Sequence, residues 1–219
     1  MGNSPALALI AALTGADDFV PERVEARLAS ELGPRDALAL DAYYDVNERF
    51  RVAITTSSDA RRELSAGRGL CFRACDERYG GLSGEAQIRG SDHVIGRGAI
   101  DTSRFATTAV AVELGLDIHY ATGRIHVLAA PVLRLGIARR DLGNGDEGSL
   151  LVQLAVDATE KFGLFGEARL GSNLDALDAT PALGVAGGAY LHVGSFAISA
   201  KVGDNNEGLF GVIAIGGSS

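Results

Sequence analysis

Tryptophan is absent from this chain, methionine occurs once, and 219 residues hold only 5 Tyr and 8 Phe. The amphipathic rings that most often mark a membrane–water boundary are therefore scarce. Lysine is nearly missing too, with Lys161 and Lys201 the two examples, and no basic run interrupts a net charge of -8. Nucleic acid as a partner is excluded on that balance. No window approaches the roughly 18–20 consecutive apolar residues that a spanning helix needs. That excludes a helix across a bilayer but has no bearing on strands, whose pattern is only about ten alternating residues long.

Chemical motifs are equally thin. No serine sits in a G-x-S-x-G elbow, and no pattern puts a nucleophile beside a base. Gly143 to Gly148 matches G-x-G-x-x-G in form. It lies in an acidic loop between two strand patterns, where a pyrophosphate would be repelled, so dinucleotide binding is discarded. His93, His119, His126 and His192 fall at strand ends or on polar faces and read as lining or structural residues. Neither catalysis, a metal nor a cofactor is expected. Cys71 and Cys75 are the only cysteines. Three residues apart in a polar, arginine-rich loop, they fit a disulfide in an oxidising compartment, or else a pair of reduced thiols. A zinc site would need further ligands that this loop lacks.

What the chain does have is glycine, 29 residues against 5 prolines, and a hydrophobic fraction of 47%. It also has alternation. Val110, Val112, Leu114, Leu116 and Ile118 share one face of a strand pattern, and Ala111, Glu113, Gly115, Asp117 and His119 the other. Side chains of a strand point to opposite sides with period two, so each such segment describes a sheet with one apolar and one polar face. The pattern predicts strands at about 22–32, 36–44, 48–56, 84–90, 92–100, 105–120, 124–138, 149–159, 163–171, 182–193, 195–203 and 208–217. The first is ambiguous: Val24, Leu28 and Leu32 would also line one face of a helix begun by Pro21 and ended by Gly33-Pro34. An even strand count favours the strand.

Connections alternate between tight ones, at 121–123, 160–163 and 194–195, and roomy ones, at 57–83, 139–149 and 172–181, with an acidic one at 204–207. This is the plan of an all-β, antiparallel, up-and-down transmembrane barrel of about twelve strands, with ten as the alternative. Asp141, Asn144, Asp146 and Glu147, and then Asp204 to Glu207, cluster oxygen donors that would hold Ca²⁺ weakly; solvated turns are the plainer reading. Residues 1–16 carry an apolar core, Pro5 to Ala16, like that of a secretion signal but without a positive start. A first strand or a short buried helix are the alternatives. Residues 17–219 form the barrel domain.

The alternating strands, the long loop Ala66 to Tyr79 and the repeated strand-to-turn ends together resemble a bacterial outer-membrane β-barrel protein of the porin-like kind, over about residues 19–219. That resemblance implies the bacterial outer membrane as the location, a lipid bilayer as the surroundings and no enzymatic activity. The expected role is a small passive pore for small polar solutes or ions. A barrel filled by its own side chains that presents surface loops, and a soluble ligand-binding barrel, are the alternatives. In the pore reading the lumen is lined by Arg49, Arg51, Glu85, Arg89, Glu113, Asp117, His119, Arg134, Asp157, Glu167, Arg169, His192 and Lys201. Glu25, Arg27 and Asp41 continue the same face.

Overall fold

The computed structural model describes residues 19–32, 37–57, 81–103, 109–138, 146–174, 181–205 and 208–219. Twelve strands follow one another: β1 (Val24–Leu32), β2 (Ala37–Asn47), β3 (Phe50–Ser57), β4 (Gly81–Ser91), β5 (Val94–Ser103) and β6 (Ala109–Thr122). The second half holds β7 (Ile125–Ala138), β8 (Glu147–Asp157), β9 (Phe162–Asn173), β10 (Ala182–Val193), β11 (Phe196–Asn205) and β12 (Gly208–Ser218). Each pairs antiparallel with its neighbours in sequence, and β12 closes on β1, with Arg27 opposite Gly216 and Leu32 opposite Gly211. Closure leaves no unpaired edge, which satisfies every strand's ladder from within the protein. The segment that could have been a helix is β1. Its Val24, Leu28 and Leu32 do share a face, the outward one.

The face assignment follows the alternation. In β6, Leu114, Leu116 and Ile118 are 53, 45 and 44% exposed, whereas Glu113 and Asp117 are 4 and 1%. The same inversion runs round the wall, with Leu150, Val152 and Leu154 outside β8 and Gln153 and Asp157 inside. An apolar outer wall around a polar interior suits hydrocarbon rather than water, so the soluble ligand-binding barrel is set aside. Pro131 breaks the wall's ladder once. Pairing of β6 with β7 runs from Gly115–Val132 to Ile118–Ala129, and the gap falls at the residue without an N–H.

Both chain ends of the barrel and the turns at 48–49, 92–93, 123–124, 158–161 and 194–195 lie at one end, here the turn end; the other connections lie at the loop end. One expectation needs correction. Arg49 belongs to the β2–β3 turn and is exposed, because β2 runs on to Asn47 and a bulge at Asp45/Asn47 resets the register. Gly163 lies within β9, as the strand expected at 163–171 has it. Asp204 and Asn205 of the acidic connection extend β11. Cys71, Cys75 and the centres of the loops at 57–83, 139–148 and 172–181 lie outside the described residues, as do residues 1–16.

Candidate functional site: the charged lumen

The lumen is built from one residue in two of every strand, so cross-strand register decides which charges meet. Asp45 of β2 lies opposite Arg51 of β3, Arg51 opposite Gln87 of β4, and Gln87 opposite Arg97 of β5. Arg51 Nε and Nη2 both donate to the Asp45 carboxylate, the latter at 3.2 Å. Arg23 reaches the same carboxylate at 3.1 Å. Gln87 donates to Glu85 at 2.6 Å. Arg97 crosses its partner Gly115 to meet Asp117 at 2.9 Å. A Cβ on Gly115 would lie 3.1 Å from Arg97 Nη2, so the missing side chain keeps that crossing open.

On the opposite wall Glu167 sits between two cations, Lys201 at 2.6 Å and Arg169 at 3.1 Å. Arg27 and Asp41 face each other across β1 and β2 at 3.6 Å, and Glu113 and Arg134 are direct partners across β6 and β7. Nearer the turn end, Asp157 accepts from Tyr190 and contacts His126 Nε2 at 3.1 Å. The Tyr190 hydroxyl is directed to the acid and not to the imidazole, and the trio braces β7, β8 and β10. Among the described residues no group of three or more His, Cys, Asp or Glu side chains is placed to hold a metal ion.

Of the sequence-predicted lining residues, Arg51, Glu85, Glu113, Asp117, Asp157, Glu167, Arg169 and Lys201 are buried inward, and Arg89, Arg134, His119 and His192 are partly so. Arg49 is not among them. Four inward charges were missed: Arg23, Glu31, Asp45 and Arg97. Asp45 shares the parity of Asp41 and Tyr43, so a longer β2 would have found it. Arg97 is hidden between Gly96 and Gly98, which remove the outward apolar residues that define a face.

The interior is also less uniformly polar than expected. Leu128, Ala130, Leu151, Ala155, Phe165 and Tyr190 form one apolar cluster inside β7 to β10. Ala29, Ala39, Phe210, Val212 and Ala214 form another inside β1, β2 and β12. Paired charges and apolar patches fill much of the bore between them. At the turn end a vestibule of about 220 Å³ remains, lined among others by Arg23, Glu25, Arg27, Tyr43 and His192.

An up-and-down barrel of twelve strands with this inside-out polarity has the fold of the outer-membrane porins. Among solved structures it is similar to the KdgM porin, with a TM-score of 0.60 at 8% identity over 88% of this chain and 98% of that one. It is similar also to the NanC porin, TM-score 0.61 at 10% identity over 90 and 98%. The translocator domain of the autotransporter NalP from Neisseria meningitidis matches at 0.51 and 12% identity over 97 and 93%. At such identities the likeness is one of fold. No protein-family model and no curated protein matches the chain.

Proposed function

We propose that this protein is a porin-like channel of the bacterial outer membrane that passes small polar solutes or ions through a narrow, charge-lined lumen. The observation that carries the reading is the inversion of polarity. A continuous apolar wall faces outward, while Arg51, Glu85, Arg97, Asp117, Glu167 and Lys201 line the axis. A basic side chain turned to lipid at mid-depth costs roughly 2–4 kcal/mol, so these charges have a reason to be inside only if hydrocarbon is outside. Short turns then face the periplasm and the longer loops the exterior.

Another KdgM porin structure holds disordered oligogalacturonate. An acidic sugar gains little from this lumen. Among the described inward side chains, Glu25, Glu31, Asp41, Asp45, Glu85, Glu113, Asp117, Asp157 and Glu167 outnumber Arg23, Arg27, Arg51, Arg89, Arg97, Arg134, Arg169 and Lys201. Small cations and neutral polar solutes fit better.

A second reading has support from one observation: Arg51, Gln87, Asp41, Asp117 and Gln153 are at most 1% exposed, which is a filled interior rather than a wide wet one. In that reading the barrel is a rigid anchor and the loops at 57–83, 139–148 and 172–181 bind a partner. Conductance of the purified protein in planar bilayers separates the two. Discrete ion-carrying steps are expected of the channel; a correctly folded but silent barrel would leave the loop-presenting reading.

A further inference from the structure

The chain does not approach β1 from outside the barrel. Phe19 is 4% exposed and packs on Ile95 within the turn-end mouth. Two guanidiniums cover its ring, Arg51 with Cζ at 4.5 Å from the centroid and Arg89 at 5.0 Å. Arg51 also faces the Tyr43 ring at 5.7 Å. A ring face carries partial negative charge and attracts both cations, more strongly where water is excluded.

A hook joins this ring to β1. Val20 N–H donates to Asp45 Oδ2 at 2.9 Å, Glu22 N–H to the Asp45 carbonyl at 2.8 Å, and Asp45 N–H to the Arg23 carbonyl at 3.0 Å. Glu22, in the turn that reverses the chain, has a φ of 65°, the one positive value among described non-glycine residues. A side-chain-bearing residue adopts that conformation where its surroundings impose it. Here the backbone bonds to Asp45 do so.

We infer that Phe19 is an internal stopper, seated by the Asp45-anchored hook and clamped by Arg51 and Arg89, that closes the β3–β5 side of the lumen at its turn end. The inference rests on the channel reading for its consequence but not for its geometry. Withdrawing the ring uncovers two guanidiniums beside the vestibule and widens the passage.

Two measurements on the full chain test it. Because the chain lacks tryptophan, Phe19→Trp introduces a single indole fluorophore. A seated ring predicts blue-shifted emission, quenched neither by iodide in water nor by brominated acyl chains in the bilayer. Phe19→Ala and the bulk-preserving Phe19→Leu are then compared with the native protein in planar bilayers, after heat-modifiable gel migration confirms folding. Phe19→Ala should raise conductance about twofold or more, as expected when a constriction loses a ring, and Phe19→Leu by less. Free quenching of the Phe19→Trp emission by iodide would overturn the seat, whatever the conductance. A shielded indole in Phe19→Trp together with native-like conductance in Phe19→Ala would overturn the stopper. If native and variant were both silent, the channel reading would fall with it.

Discussion

Tyr190 of β10 lies flat across Gly163 of β9, its direct cross-strand partner, so closely that a Cβ on Gly163 would collide with the phenol's hydroxyl and Cζ. One step along the same two strands the arrangement is reversed, with Phe165 over Gly188. Phe210 covers Gly203 between β11 and β12, and on the outer face Phe196 covers Gly217. Each ring fills the space its opposite glycine leaves open, which shields the glycine backbone and fixes the register of β9 to β12. A slip of one residue would bring Tyr190 against Phe162 or Leu164, and Phe210 against Val202 or Asp204.

Gly163→Ala should therefore destabilise the barrel, although alanine ordinarily gains about 0.5–1 kcal/mol over glycine in a strand. The ring cannot swing aside without giving up the bond from Tyr190 to Asp157. Overpacking of this kind costs about 1–3 kcal/mol. A lower urea midpoint of the detergent-folded protein is expected, and Gly163→Ala should cost less in a Tyr190→Ala background than in the native one, since the two changes share one contact. An unchanged midpoint in Gly163→Ala would mean the ring has another resting place.

The group formed by Glu167, Lys201 and Arg169 predicts an asymmetry between single and double changes. Glu167 and Lys201 are 8 and 7% exposed and 2.6 Å apart. Removing the shared acid strands two buried cations, at a cost of about 3–5 kcal/mol for a well-buried pair, whereas removing Lys201 leaves Glu167 bonded to Arg169. Glu167→Gln should lower the unfolding midpoint markedly. Glu167→Gln with Lys201→Met should be milder than Glu167→Gln alone, despite carrying one more substitution, because only Arg169 is then left without its acid. Additive losses in a urea titration of the three variants would show that water already screens the group.

Much of this barrel was legible because alternation is a local property. Leu114, Leu116 and Ile118 against Glu113 and Asp117 fix the two faces of β6 without reference to any other strand. The strand nature of β1 needed one global argument, since i, i+4 spacing at Val24, Leu28 and Leu32 fits a helix as well as a strand; an even count of strands resolved it. What stayed hidden depends on register or on chain reversal. Arg49 has the parity of Arg51 but stands beyond the bulge that ends β2. The pairing of Tyr190 with Gly163 joins residues far apart in the chain and is set by the β9–β10 connection. Phe19 follows a stretch that reads as the end of a secretion signal, and nothing in its neighbours announces that it turns back into the lumen.

Leu116→Arg tests the outward wall directly. Leu116 is 45% exposed and stands midway along β6. If hydrocarbon covers it, arginine there costs roughly 2–4 kcal/mol. Refolding yield into lipid vesicles, read from heat-modifiable migration, should fall accordingly. Arginine at the exposed turn residue Asp92 should change it little. Equal yields for the two variants would mean that lipid does not cover the β6 face.

The excess of acids over bases in the lumen predicts weak cation selectivity, and the Arg97–Asp117 pair offers the place to test it. Glu113 and Arg134 are partners across β6 and β7, as are Arg27 and Asp41 across β1 and β2, so each pair offers a passing ion little net field. Asp117 is paired as well, but not with its direct cross-strand partner. It is held by Arg97, whose reach depends on the bare Gly115 between them. Adding bulk at that point, as in Gly115→Val, should push the guanidinium off the carboxylate and expose both charges to the lumen. Under a potassium chloride gradient the native channel should show a reversal potential on the cation side. Asp117→Asn should move it toward the anion side, since Arg97 is then unopposed. Arg97→Gln should move it the other way. Shifts of the same sign from the two substitutions would mean that the ions do not pass this pair, and that the conducting path runs along the opposite wall.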